Sequence, residues 1–261
     1  MKLKLFASAA IAAAMIAAPA FADEMAGQVD LAYGFHGWDY NNGGSSYDNT
    51  DLTLGGAFTN TFSNGVVMQI DGQGDLYTWD NSSSDDSFGY VAAHFAQRND
   101  NYAIGAFVGL ENYYGDGGMM VGLEGQAYMP ELTFTGSVAY IHFDDNNDYD
   151  MWGANIGARY FINDNFALDA GLGWASWDTS FTDYDGWNGT LGLEYKWDSS
   201  PASVFATYRR DAIDYTFNDY TVDTFTFGVR LTLGSDNLRA RTNDGASFGG
   251  ARAAHDNMVH W

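Results

Sequence analysis

The residues able to do chemistry in this sequence are carboxylates and a few guanidinium groups, each set one step from an apolar side chain. Asp30 lies between Val29 and Leu31, Asp51 before Leu52, Asp71 after Ile70 and Asp75 before Leu76. Glu111 follows Leu110, Glu124 follows Leu123, Asp169 follows Leu168 and Glu194 follows Leu193. The bases Arg159, Lys196, Arg209 and Arg230 occupy positions of the same kind. Along an extended chain this alternation puts charge on one face and hydrocarbon on the other. A charged face of that sort attracts, repels or orients ions and dipolar solutes that move along it.

Bond-making constellations are poor. Lipid or ester hydrolysis needs a nucleophile with a histidine within hydrogen-bond reach. His142 and Ser176 share a face near one rim, but an intervening strand separates them. His36 points to the charged face without a serine partner. His94 lies in a segment of unclear register, and His255 and His260 lie in the C-terminal tail. Each reads as an ordinary rim or surface histidine. Asp144–Asp150 resembles the start of a calcium loop, yet glycine is missing at the sixth place and Asn155 stands where a bidentate glutamate belongs. It reads as a solvated acidic loop. Cysteine is absent, which removes disulfides and thiolate metal sites. Neither enzyme activity, a cofactor nor a resident metal is expected.

The elements that must position the charges are strands. In Met151–Trp177 one apolar set, Trp152, Ala154, Ile156, Ala158 and Tyr160, is followed by a turn at Asn163–Asn165. A second set then runs through Phe166, Leu168, Ala170, Leu172 and Trp174. This is a β-hairpin with two-residue alternation. Aromatics end both sets, and Trp187 and Tyr195 end the next strand. Eight steps of ~3.3 Å tilted by ~40° span roughly 20 Å, close to the apolar band of an outer membrane with its aromatic girdles. The greasy face therefore points outward and the charged face inward.

About twelve such segments recur: Gln28–Trp38, Thr50–Asn60, Val66–Thr78, Phe88–Arg98, Tyr102–Asn112, Met119–Tyr128, Glu131–Phe143, the two hairpin strands, Trp187–Lys196, Ala202–Arg210 and Thr224–Leu233. In Phe88–Arg98 both faces look apolar. Connections after even-numbered strands are tight; those after odd-numbered strands are longer and rich in Asp, Asn, Ser and Tyr. After Gly234 the alternation stops, and the tail over residues 235–261 reads either as a disordered periplasmic extension or as a lumen plug whose arginines meet acidic wall residues.

The N-terminus has a basic start at Lys2 and Lys4, an alanine-rich apolar run and the small-x-small site Ala20–Ala22. This reads as a cleaved secretory signal over residues 1–22, with the barrel over 23–234. The net charge of −23 makes the chain a poor nucleic-acid ligand.

Signal, aromatic-flanked strands and rim asymmetry together resemble a Gram-negative outer-membrane β-barrel of the porin kind, over about Ala26–Gly234. The resemblance implies an all-β antiparallel transmembrane barrel in the bacterial outer membrane, in contact with lipid and lipopolysaccharide. It implies passive diffusion of ions or small hydrophilic solutes, with a closed structural or adhesive barrel as the alternative. In a ring of twelve, the acids of the first half face the bases of the second. They either form a transverse field or pair to tie the barrel shut. Inward glycines suggest a narrow open pore, and the excess of acid suggests cation preference.

Overall fold

The computed structural model describes residues 24–40, 46–79, 85–143, 149–179, 183–215 and 219–259. The expected signal segment, most of the long-loop tips, the calcium-like stretch Asp144–Asp148, His260 and Trp261 lie outside these residues. Among the described residues twelve strands follow one another: β1 (Glu24–Tyr40), β2 (Tyr47–Thr61), β3 (Val66–Trp79), β4 (Asp85–Arg98), β5 (Tyr102–Tyr113) and β6 (Asp116–Tyr128), then β7 (Leu132–Phe143), β8 (Tyr149–Asn163), β9 (Phe166–Thr179), β10 (Asp183–Lys196), β11 (Ala202–Tyr215) and β12 (Tyr220–Leu233). Each pairs antiparallel with its neighbours, and β1 closes the ring on β12.

Alternation decides which way each side chain points. Leu31, Leu54, Ile104, Leu123, Ile156, Leu172, Leu191 and Phe227 are exposed on the outer face. Closure removes the free edges that an open sheet would present, and in hydrocarbon it gives every strand backbone group an internal partner.

The strands run further than the alternation suggested, because pairing continues beyond the apolar band into the loop end. The connection after β5 is the clearest case. The sequence suggested a long loop there, but Tyr113 pairs with Asp116, leaving Tyr114 and Gly115 at φ 49° and 98°. Two successive left-handed residues make the type I′ turn that matches strand twist.

The tail is folded. Gly234, at φ +74°, turns the chain off β12. A Cβ there would lie 2.1 Å from the Met25 carbonyl oxygen, so only glycine fits this close, left-handed corner. Two helices follow, α1 (Leu238–Asp244) and α2 (Gly250–Val259). Asn237 caps α1, its side chain accepting from Ala240 N at 2.8 Å. At the rim of the tight turns, Leu238 N donates to the carbonyl of Asp164 in the β8–β9 turn. α2 then lies inside the barrel against β4–β9.

This placement explains β4. Its inner residues Phe88, Tyr90, Ala92 and Ala96 are buried while Phe95 on the other face is exposed. Both faces are apolar because one meets lipid and the other meets the tail. Ala251, Ala254, Met258 and Val259 join Tyr77, Phe88, Tyr90, Phe107, Phe143, Met151 and Trp177 in one cluster. Burying side chains such as Met258 stabilises the docked tail by roughly 1.5–3 kcal/mol each.

Candidate functional site: a plugged lumen

The structure points every charged residue singled out above into the barrel, and the tail supplies many of their partners. Glu194 on β10 is the centre of the half near the tight-turn rim. Its Oε2 accepts from Arg159 Nη2 at 2.5 Å, Arg230 Nη1 at 2.9 Å and Arg241 Nη2 at 2.6 Å. Its Oε1 accepts from Arg241 Nη1 and Ser203 Oγ, both at 2.6 Å. Asp169 Oδ1 lies 3.7 Å from Arg159 Nε. At the seam Asp30 is opposite Arg230 in register, 3.6 Å apart, and receives Arg252 Nη2 at 3.1 Å. Lys196 Nζ donates to the Asp236 carbonyl at 2.6 Å. Arg209 bonds to Asp211 through Nε and Nη2 and reaches Asn257 on α2 at 3.1 Å.

The acids of β2–β6 are held by histidines. His94 takes Asp71 at 2.8 Å on Nε2 and Glu124 at 2.5 Å on Nδ1. His255 of α2 takes Asp75 at 2.8 Å and Glu111 at 2.7 Å. His36 contacts Asp51 at 2.6 Å and Thr224 at 3.0 Å. An imidazole serves two carboxylates through donors only when both nitrogens carry protons. Glu124 also accepts the first amide of α2, Gly250 N, at 2.9 Å.

These contacts correct several expectations. His36, His94 and His255 are buried polar anchors, not rim or surface residues. Their signal in the sequence was parity plus an excess of inward acids that required cations. Asn155 sits on β8, as the hairpin reading places it, and accepts from Asn257 Nδ2 at 3.3 Å. His142 bonds to Asp150 at 2.8 Å, also on the outer side. The acidic and basic walls share a cavity of about 310 Å³, lined by Asp51 and Asp75 on one side and by Arg159 and Arg209 on the other, and the tail enters it with Arg252 and Asp256. Arg98 and Gln69 were missed altogether, whereas the tail arginines Arg241 and Arg252 are those that the sequence expects to meet acidic wall residues if the tail enters the lumen. Arg98 holds the Asp244 and Gly245 carbonyls at 2.7 and 3.1 Å, and Gln69 exchanges two hydrogen bonds with the Phe248 backbone.

The girdle residues lie on the outer face. Trp174 pairs in register with Trp187, and Phe166 with Tyr195. Their ring centroids are 6.5 and 6.4 Å apart. Trp152 lies tilted against Tyr140 with ring centroids 5.0 Å apart, and Tyr160 is exposed near the tight-turn rim. The aromatic ends of an apolar band suit the headgroup level of a bilayer.

α2 does not fill the barrel. Opposite it the inner wall carries Gly157, Gly171 and Gly192, and three cavities of about 290, 320 and 310 Å³ remain, all touching Thr190. At the loop end the space narrows between Trp38, Tyr40, Tyr184, Ile213, Tyr220 and Val222.

The seat of His255 depends on its charge. Burial opposes that charge, but Glu111 and Asp75 outweigh it and raise the pKa well above the ordinary histidine value of 6.5. Because the folded value is raised, the stabilisation is complete below the unfolded value and is lost as pH climbs through the folded one. Alkaline pH should therefore loosen α2, and His255→Ala should loosen it already at neutral pH. Limited proteolysis of the tail in detergent-refolded protein checks both; a tail equally resistant in wild type and variant across that range would show that this contact does not hold the helix.

No protein-family model matches the chain, and no curated protein matches it. Solved structures do. An outer-membrane channel from Pseudomonas putida F1 superposes with a TM-score of 0.64 at 13% identity, over 81% of this chain and 96% of that one. The β domain of the Bordetella autotransporter BrkA gives 0.52 at 15% identity, over 80% and 100%. The KdgM porin, in complex with disordered oligogalacturonate, gives 0.44 at 14% identity, over 77% and 98%. At these identities the likeness is one of fold. The chain has the fold of an outer-membrane β-barrel, a likeness that supports an outer-membrane location.

Proposed function

We propose that the protein is an outer-membrane channel for passive diffusion of ions and small hydrophilic solutes, not an enzyme, and that its C-terminal helices are the plug that narrows it. The observation that carries this reading is the polar space left between α2 and the glycine-bearing wall of β8–β10. A barrel whose only need was a solid core would fill that side as it fills the cluster of Phe88, Tyr90, Phe107 and Met258. Export by removal of residues 1–22 and contact with lipopolysaccharide belong to the same proposal.

Cation preference belongs to the lumen with the plug withdrawn. Asp30 then loses Arg252, Glu194 loses Arg241, and Asp75 and Glu111 lose His255. The wall is left with uncompensated carboxylates, which concentrate cations.

The aromatic narrowing at the loop end favours a second reading, a closed barrel that presents acidic, Tyr-rich loops to a surface partner. Single-channel recording of the refolded mature chain in a planar bilayer under a KCl gradient separates the two. Small discrete steps are expected from the channel. Correctly inserted protein that gives none, with or without its tail, would favour the closed barrel.

A further inference from the structure

The cavity of about 290 Å³ between α2 and β6–β10 differs from the other two in its lining. Three hydroxyl residues, Thr135, Ser137 and Thr190, and three amide residues, Gln126, Asn155 and Asn188, surround it. None of the three hydroxyls has a hydrogen-bond partner among the described residues. Thr135 is exposed although it belongs to the inward set of β7, so water reaches it through this space. Three charged side chains share the lining, Glu124, Arg209 and Asp256, fewer than in either neighbouring cavity. Two of them are already engaged. Glu124 accepts from His94 Nδ1 at 2.5 Å and Gly250 N at 2.9 Å. Arg209 is bonded through Nε and Nη2 to Asp211, which is fully buried. Asp256 accepts from Gln73 Nε2 at 3.4 Å, a long contact.

We infer that this cavity binds a neutral, hydroxyl-rich solute of monosaccharide size, a sugar or a polyol. Hydroxyl and amide side chains both donate and accept, which is the pattern such a solute carries over its own surface. An ion would have to leave water with Asp256 as its one loosely held counter-charge or none at all, and an unpaired charge out of water is costly. Asp256 suits hydroxyl donors instead, because a carboxylate accepts from several O–H groups at once. The size agrees. The volume is many times the ~10–15 Å³ that one water needs, and it lies at the lower end of the ~300–1,000 Å³ range of small-molecule sites. At the loop end, where the lumen narrows, Trp38, Tyr40, Tyr184 and Tyr220 present rings with polar tips. Such rings suit a solute that carries both C–H and O–H groups. The inference rests on the channel reading and deepens it by naming a class of solute; binding itself does not depend on conduction.

The test is saturation-transfer NMR on refolded full-length protein in a zwitterionic detergent, which carries no sugar of its own. Glucose is the ring probe, sorbitol the open-chain probe, and succinate and putrescine are the charged comparisons. Saturable transfer to glucose or sorbitol is expected, and a difference between the two tells ring from chain. Thr135→Val and Thr190→Val keep the side-chain shape and each remove one unbonded hydroxyl, so both should fold as the native chain does. Each should weaken binding about three- to tenfold, the worth of one neutral hydrogen bond. Gly171→Val should abolish it. A Cβ there meets Ile156 O at 3.6 Å and Thr190 Cβ at 3.7 Å, ordinary contacts that the wall accommodates while the side chain takes up cavity space. No saturable transfer to either neutral probe by native barrel, equal affinity in all three variants, or tighter binding of a charged probe overturns the inference. Steps in a bilayer without binding would leave the channel standing and remove the site; binding without steps would keep the site and remove the channel.

Discussion

A chain ending at Gly234 should form the same barrel and conduct several-fold more current per channel than the full chain. The ring closes through β1 and β12 without any contribution from the tail, so truncation removes the obstruction and leaves the wall. It also removes Arg241, Arg252 and His255 from Glu194, Asp30, Asp75 and Glu111. The reversal potential under a KCl gradient should therefore move toward that of K⁺. Those wall acids lie in a narrow, low-dielectric space where fixed charge strongly biases the ion population. Unchanged conductance in a truncated, inserted barrel would mean that α2 does not obstruct the path. Higher conductance with an anion-directed shift would keep the plug and reject the acidic account of the open wall. Where the bare barrel inserts poorly, the full chain with Glu111→Gln and Asp75→Asn provides the conductance comparison alone, because it weakens the His255 seat while removing two of the wall acids.

Glu194→Ala should be the most destabilising single substitution in the lumen, by about 3–5 kcal/mol. The residue is 2% exposed and is the common acceptor for Arg159, Arg230 and Arg241. Its loss leaves three guanidinium groups crowded together without their shared counter-charge. Removing one partner of a buried ionic group costs more than the group contributes as a whole, since the remaining charges stay desolvated. Arg241→Ala alone should cost less, because Glu194 retains two arginines. Urea unfolding of the refolded barrel in detergent measures each change. The double variant Glu194→Ala/Arg241→Ala should recover part of the loss through reduced repulsion. A cost below about 1 kcal/mol for Glu194→Ala, the level of an exposed pair, would show that water reaches the cluster freely.

Glu194 also shows why a transverse field could not be settled from the chain alone. Strand parity put it inward among bases, and that much follows from a two-residue period. Which charges touch depends on rotamers and on a helix whose Arg241 returns from 47 residues further on.

The sequence by itself determined the barrel. Outward hydrocarbon in sets such as Trp152 to Tyr160 and Phe166 to Trp174 alternates with inward charge, and no other arrangement buries one face in lipid while keeping the other wet. The seam is part of the same inference, since Asp30 and Arg230 face each other once β1 meets β12. Tertiary structure alone decided what fills the lumen. α2 is short, and its apolar stripe of Ala251, Ala254 and Met258 is too slight to announce a buried helix; isolated helices of that length are unstable in water. It forms because β4 offers Phe88 and Tyr90 inward and because Glu111, Glu124 and Asp75 offer anions at fixed points along it. The twofold apolarity of β4 and the unpaired inward acids were both visible along the chain. Their common cause was not, because it lies in a contact between segments more than a hundred residues apart, and local periodicity carries no information about such a contact.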